Sequence, residues 1–221
     1  MSASPRFADR REAGRALAAE LEDVRDASPI VFGIPRGGVV IADEVARGLG
    51  CPLDVLVVRK LGYPGHEEAG FGAVGEEGVT VPEALSHMRP GDPGFEIVQQ
   101  VLEVKRAEVA ARVALYRNGR PRRWARNATA VVVDDGIATG YTFAAGLAIV
   151  RADEPARLIA AVPVAAAEGA ELASRYCDEL RLLRPIESGR FFAVSLHYEM
   201  FGQVTDREVV ELLSGSRNGA E

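Results

Sequence analysis

Two adjacent acids, Asp134 and Asp135, end an apolar run and open a short turn, Gly136-Ile137-Ala138-Thr139-Gly140-Tyr141-Thr142. A helix is expected immediately afterwards. Backbone N–H groups in the first turn of a helix have no partners within it and point out of its end. With the hydroxyls of Thr139 and Thr142 they form a cradle for a phosphate monoester. The two carboxylates cannot bind that phosphate, because like charges repel. They suit a neutral polyol or a metal-bound group beside it. A ribose 5-phosphate meets both demands, with its hydroxyls on the acids and its phosphate on the turn. The plain alternative is a polar strand-to-helix turn in an unrelated α/β protein.

Such a turn needs a buried strand before it and a helix behind it. Short apolar runs predict strands at 30–34, 53–58, 128–133, 157–164 and 179–183. Three- and four-residue spacing predicts helices at 7–24, 39–49, 95–116, 142–150 and 166–176, with Gly50 closing the second. In the third, Ile97, Val101, Val104, Val109, Val113 and Tyr116 supply the apolar side. Thr205 and Glu208 form a capping box ahead of Val209 to Leu213, and 214–221 reads as a frayed tail. Residues 59–82 read as a long loop without a period. Strand and helix alternate, and the strands are apolar throughout. The expectation is an α/β fold with a doubly wound, mostly parallel sheet in a single domain. Ligands of such sheets sit beyond the carboxyl ends of the strands, so the loops at 35–38, 59–80, 134–141 and 164–167 matter most.

The segment from Val131 to Thr142 resembles the 5-phosphoribosyl-1-pyrophosphate (PRPP) motif of type I phosphoribosyltransferases: apolar strand, two acids, Thr/Gly-rich phosphate loop. The resemblance spans about residues 28–185 and implies that family's fold, with the terminal segments 1–27 and 186–221 forming a small hood. It implies a Mg²⁺-dependent transfer of the phosphoribosyl group to a nitrogen of a base-like acceptor, and a homodimer. By resemblance, Asp134 and Asp135 bind the ribose hydroxyls, directly or through Mg²⁺, and Ala138, Thr139, Gly140, Tyr141 and Thr142 wrap the 5′-phosphate. Gly33-Ile34-Pro35-Arg36-Gly37-Gly38 becomes the pyrophosphate loop. Its glycines permit close backbone approach, and Arg36 offers a forked donor to phosphate oxygens. Arg59 and Lys60 would reach the pyrophosphate from the end of the second strand. Arg36, Lys60 and Asp135 are the expected catalytic residues. The glycine-rich stretch 61–80 would be a flexible lid that excludes water from the reacting centre. One position departs from the pattern. Many purine-salvage members carry an acid where this chain has Ala138, which puts a purine-specific mechanism in doubt. Glu67 or Glu68 on the lid could supply a carboxylate instead. A non-catalytic PRPP- or nucleotide-sensing module on the same fold is the alternative.

The remaining sequence narrows the classes. A net charge of -6 without a basic block argues against nucleic acid. The basic run from Arg117 to Arg123 reads as a solvated loop. Cys51 and Cys177 form neither a metal-ligand spacing nor a disulfide framework and are expected as buried reduced thiols. No apolar stretch approaches the ~20 residues that span a bilayer. The N-terminus lacks a signal-like apolar region, so a cytoplasmic protein without a membrane partner is expected. His66, His87 and His197 are isolated. No phosphate-binding P-loop or nucleophile elbow is present, and no G-x-G-x-x-G opens a helix. A receiver-like phospho-acceptor domain would place its paired acids at the first strand, not deep in the chain. Phe191, Phe192, Tyr198 and Phe201 could stack an acceptor base or form a satellite core.

Overall fold

The computed structural model describes residues 6–187 and 189–215. Along the chain run α1 (Arg10–Glu20), β1 (Ile30–Gly33), α2 (Gly37–Leu49), β2 (Leu53–Val55), β3 (Val58–Tyr63), β4 (His66–Gly75) and β5 (Thr80–Val81). Then follow α3 (Phe95–Arg117), β6 (Thr129–Val133), α4 (Tyr141–Arg151), β7 (Arg157–Ala166), α5 (Ala167–Ser174), β8 (Glu179–Ile186) and α6 (Asp206–Gly215). Five strands form a parallel sheet in the order β2-β1-β6-β7-β8. Its successive residues serve opposite cores. Val31, Val131, Val133 and Ile159 pack with α1 and α2, while Phe32, Ala130, Val132 and Leu158 pack with α4. Burial on both faces is why these strands read as continuous apolar runs rather than alternating ones. Each large side chain buried this way, such as Phe143 or Leu147, contributes roughly 1.5–3 kcal/mol.

The order reverses between β1 and β6. From β1 the chain moves outward to β2; from β6 it moves the other way to β7 and β8. The crevice beyond the carboxyl ends of β1 and β6 is therefore the switch point where such sheets bind ligands. The turn after β1 and the turn after β6 are the two segments that the sequence singles out.

Several expectations change. Residues 58–81 are not a featureless loop. They form a three-stranded antiparallel sheet, β3-β4-β5, with the register shifted around Gly62. Leu61 and Val74 pack on Val98 and Leu102 of α3. The glycines that suggested a loop dilute the alternation that would have revealed strands. Gly70, Gly72 and Gly75 all lie within β4. The first helix starts at Arg10, where the Asp9 carboxylate accepts from the Glu12 N–H at 2.8 Å, and residues 22–27 are a separate 3₁₀ turn. On α3 the buried hydrophobic residues are Val98, Leu102, Val109 and Tyr116, whereas Ile97 and Val104 face outward. The Thr205–Glu208 capping box is present, with the Glu208 N–H donating to Thr205 Oγ1 at 3.2 Å. The tail is described only to Gly215.

The basic run is only partly solvated: Arg123 is exposed, but Arg117, Arg120 and Arg122 are tied down. Arg117 is buried and bonds Glu76 at 2.7 Å, and Arg122 pairs with Asp153 at 2.9 Å. The Arg120 guanidinium donates to the Leu213 carbonyl at 2.6 Å. These arginines fasten α3 and the following loop to β2, the turn after β4, the end of α4 and α6.

Asp43 on α2 is also buried, with Arg47 at 3.1 Å and Arg11 at 3.9 Å. Burial raises its pKa above the ordinary value, and the two arginines oppose this only in part. The folded state thus keeps this proton to higher pH than the unfolded chain. The stability this gives is fully present below the unfolded-state pKa and is lost as pH rises through the folded one. An Asp43→Asn variant is therefore expected to gain thermal midpoint relative to wild type as pH climbs from about 4 toward neutrality. Melting curves at several pH values check this; a difference independent of pH would contradict it.

Candidate active site

The acid pair sits at the carboxyl end of β6. The Asp135 N–H donates to Asp134 Oδ1 at 2.8 Å, which fixes the first carboxylate over its own turn. Asp135 Oδ2 accepts from Arg10 Nε at 2.8 Å. The pKa of each acid is raised, first by burial; for Asp134 the charge of Asp135 adds to this. The pair therefore carries more negative charge than its surroundings compensate. Polyol hydroxyls or a divalent cation would relieve it.

The turn that follows is built as a cradle. Ile137 extends the sheet: its N–H donates to the Val164 carbonyl at 3.0 Å and its carbonyl accepts from Ala166 at 2.8 Å. Gly140 has φ 85° and precedes α4. A Cβ there would lie 2.8 Å from the Gly169 carbonyl oxygen of α5, so both the dihedral and the packing require glycine. The Ala144 N–H bonds the Gly140 carbonyl at 2.8 Å. The N–H groups of Tyr141, Thr142 and Phe143 are thereby left at the open end of the helix. No side chain caps them, and no acid lies in that first turn. Ala138 and Thr139 are exposed.

The turn after β1 closes on the acids from the other side. A Cβ on Gly37 would lie 1.9 Å from Asp135 Oδ2, and one on Gly38 would lie 2.8 Å from Asp134 Oδ1. The Pro35–Arg36 peptide is cis. The Arg36 guanidinium reaches out to Asp206, 3.9 Å away at the start of α6. The hairpin sends its two cations apart, as strand alternation demands. Arg59, opposite Val74, faces α3 and lies 3.6 Å from Glu108. Burial, then the nearby charge of Arg112, lowers the Arg59 pKa; Arg36 acts in the same sense. Lys60, opposite Ala73, faces the α4 side and runs across Gly70. The structure thus brings Arg36, Gly37, Gly38, Asp134 and Asp135 together, places Arg59 near Arg36, and sets Lys60 on the other face of the hairpin.

A family model described as the phosphoribosyl transferase domain matches residues 8–198. The chain belongs to that family. Two Mycobacterium tuberculosis proteins named as putative phosphoribosyl transferases, from strains CDC 1551 and H37Rv, are each 40% identical to this domain over 211 residues, 94% of the chain. The domain spans 46% of their length, about half of the curated relatives it matches. A crystal structure from Thermus thermophilus is 41% identical with a TM-score of 0.79, covering 94% of this chain and 97% of that one. A Neisseria gonorrhoeae protein crystallised with bound ppGpp shares the fold alone, at 11% identity and a TM-score of 0.50, covering 98% and 99%.

Some positions around the candidate site of this phosphoribosyl transferase domain were invisible in its sequence. Arg10 touches the acid pair from 125 residues away, and its guanidinium also lies over the Phe201 ring at 3.7 Å. Arg112 is an ordinary helix arginine until α3 is folded beside Arg36 and Arg59. Gly169 gave no signal, because its reason is the loop from another element. The aromatic group divides. Tyr198 is 3% exposed and donates to the Asp135 carbonyl at 2.6 Å, and Phe201 lies beneath Arg10, so both belong to the packing under the site. Phe191 stacks on His197 at 5.6 Å, and Phe192 is 81% exposed. The chain ends meet here: the Phe7 N–H donates to the His197 carbonyl and the Glu199 N–H to that of Phe7. Glu67 and Glu68 lie on β4, but their side chains fall outside the described residues. Burial pushes the Cys51 thiol up to about 11, which suits an inert thiol. Among the described residues no helix is long and apolar enough to cross a membrane.

Proposed function

We propose that this domain transfers the phosphoribosyl group of PRPP to a nitrogen of a small acceptor and releases pyrophosphate. The observation that carries the reading is the junction of two turns at the switch point, where Gly37 and Gly38 abut Asp135 and Asp134. Diphosphate and ribose are bonded to each other in PRPP, so their subsites must touch.

Each residue then has a task. The open N–H groups of α4, with Thr139 and Thr142, hold the 5′-phosphate. Asp134 and Asp135 hold the 2′- and 3′-hydroxyls and so fix the ring. Arg36 with the backbone of Gly37 and Gly38 holds the diphosphate, joined by Arg59 and, on lid movement, Lys60. As the acceptor nitrogen bonds to C1′, the C1′–O electron pair leaves with pyrophosphate and the acceptor proton passes to water. The arginines stabilise the charge that develops on the departing group. The β3-β4 hairpin would act as the lid that limits hydrolysis.

A Mg²⁺ ion fits this donor set. Among the described residues no group of three or more metal-ligating side chains occurs. Two carboxylates plus substrate oxygens and water are the usual way this ion is held. When bound, it would be held by Asp134 and Asp135 and would neutralise diphosphate charge.

Ala138 favours a second reading. It places no acid beside the acceptor side of the turn, which suits a module that binds PRPP without turnover. Calorimetric titration with PRPP and Mg²⁺, followed by a pyrophosphate-release screen over purine, pyrimidine and simple amine acceptors, tests both. Binding tighter than about 1 mM, roughly -4 kcal/mol, with release for at least one acceptor is expected. Binding without release would support the sensing module, and no binding would end both.

A further inference from the structure

Three arginines from separate segments converge at the outer end of the β1 turn. Arg36 leaves the turn itself, Arg59 comes from β3 and Arg112 from the C-terminal third of α3. Arg36 and Arg112 both face the same carboxylate oxygen, Asp206 Oδ1. Arg36 lies 3.9 Å from it, and Arg112 pairs with it directly. The Tyr116 hydroxyl donates to the same oxygen at 2.7 Å and accepts from Arg112 at 2.8 Å. Tyr116 is fully buried, so the group that aims Arg112 is fixed. Asp206 and Arg112 are each about a third exposed and Arg36 rather more, so an ion from solution can reach them.

The charges do not balance. Among the described residues, Arg36, Arg59, Arg112 and Lys105 face only Asp206 and Glu108, four cations against two carboxylates. Arg59 feels this, because burial and then the charge of Arg112 lower its pKa. Guanidinium forks match phosphate oxygens two at a time, and a diphosphate brings the missing negative charge.

We propose that Arg112 is a third arginine of the diphosphate subsite and that Asp206 takes the place of a phosphate oxygen there until the ligand arrives. This rests on the PRPP reading above. The ligand displaces the carboxylate, and Arg36 and Arg112 transfer from Asp206 to the diphosphate. Asp206 therefore competes with the leaving group of the reaction, and it can recapture the arginines as pyrophosphate departs.

The test compares wild type, Asp206→Asn and Arg112→Gln by calorimetry with Mg²⁺ and two probes, inorganic pyrophosphate and ribose 5-phosphate. Asp206→Asn is expected to bind pyrophosphate several-fold tighter, roughly up to tenfold, because one competing charge is gone. Arg112→Gln is expected to bind it roughly tenfold weaker, the loss of one charged hydrogen-bond donor. Ribose 5-phosphate affinity should stay within about twofold in both, since that ligand has no diphosphate. A contact that merely ties α6 to α3 would change melting temperature and leave pyrophosphate affinity unchanged, which would overturn the proposal. If Arg112→Gln does not fold, Asp206→Asn decides alone, because it retains a side chain of the same shape. A wild type that binds ribose 5-phosphate but not pyrophosphate also overturns it. A wild type that binds neither probe, nor PRPP, removes the underlying reading as well.

Discussion

Asp135→Asn is expected to lower kcat/KM for pyrophosphate release by about 10²–10³-fold, the usual cost of removing one preorganised charged group from a reacting centre. The substitution keeps the shape of the side chain. It also leaves the Asp135 carbonyl, which accepts from Tyr198 at 2.6 Å, untouched. What disappears is the anion at Oδ2, the atom that Arg10 holds at 2.8 Å and that lies against Gly37. Burial already disfavours that charge in the folded chain, since the Asp135 pKa is raised. The neutral variant should therefore melt at or slightly above the wild-type temperature. Arg10 keeps a bond to the Gly202 carbonyl at 2.8 Å. Kinetics with any acceptor that supports release, set beside a melting curve, check the pair of effects. Wild-type kcat/KM in a folded variant would remove Asp135 from the ribose site.

Glu76→Ala should destabilise the domain by about 3–5 kcal/mol, the cost of leaving one member of a buried ion pair alone. Out of the roughly 5–15 kcal/mol typical of a domain, that is enough to unfold much of the protein at moderate temperature. Glu76 follows directly on β4 and is buried. It accepts from Arg117 Nη1 at 2.7 Å, from Nη2 at 3.1 Å, and from the Val57 N–H at 2.9 Å. Arg117 has Asp54 at 3.5 Å and the Val55 carbonyl at 2.9 Å as its other partners. Without Glu76 a buried guanidinium and a buried backbone N–H each lose a partner. Combining Glu76→Ala with Arg117→Met should recover part of the loss, because the unpaired guanidinium is gone while Asp54 keeps the Val55 and Arg123 N–H donors. Urea unfolding of the three variants measures this. Strictly additive losses, or a loss below about 1 kcal/mol for Glu76→Ala, would show that the pair is not a strut.

The sheet and the turn between β6 and α4 were legible because their causes are local. An apolar run, two acids, a glycine with φ 85° and the start of a helix lie within a dozen residues, and each answers to the chain beside it. The hairpin was hidden because Gly70, Gly72 and Gly75 remove the side chains by which a period of two is recognised. The basic run misled for the opposite reason. Its charges are adjacent in sequence, but their partners Asp54, Glu76 and Asp153 lie 31 to 63 residues away.

By itself, then, the sequence determined the α/β alternation, the glycine turn that opens a helix and the acids beside it. Backbone propensity and hydrophobic burial act over short spans. Only the tertiary structure decided that Arg10 guards Asp135, that Arg112 and Asp206 meet beside Arg36, and that Arg59 and Lys60 part company. Electrostatic partners are chosen by distance in space, and the sheet order β2-β1-β6-β7-β8 sets which distant residues become neighbours.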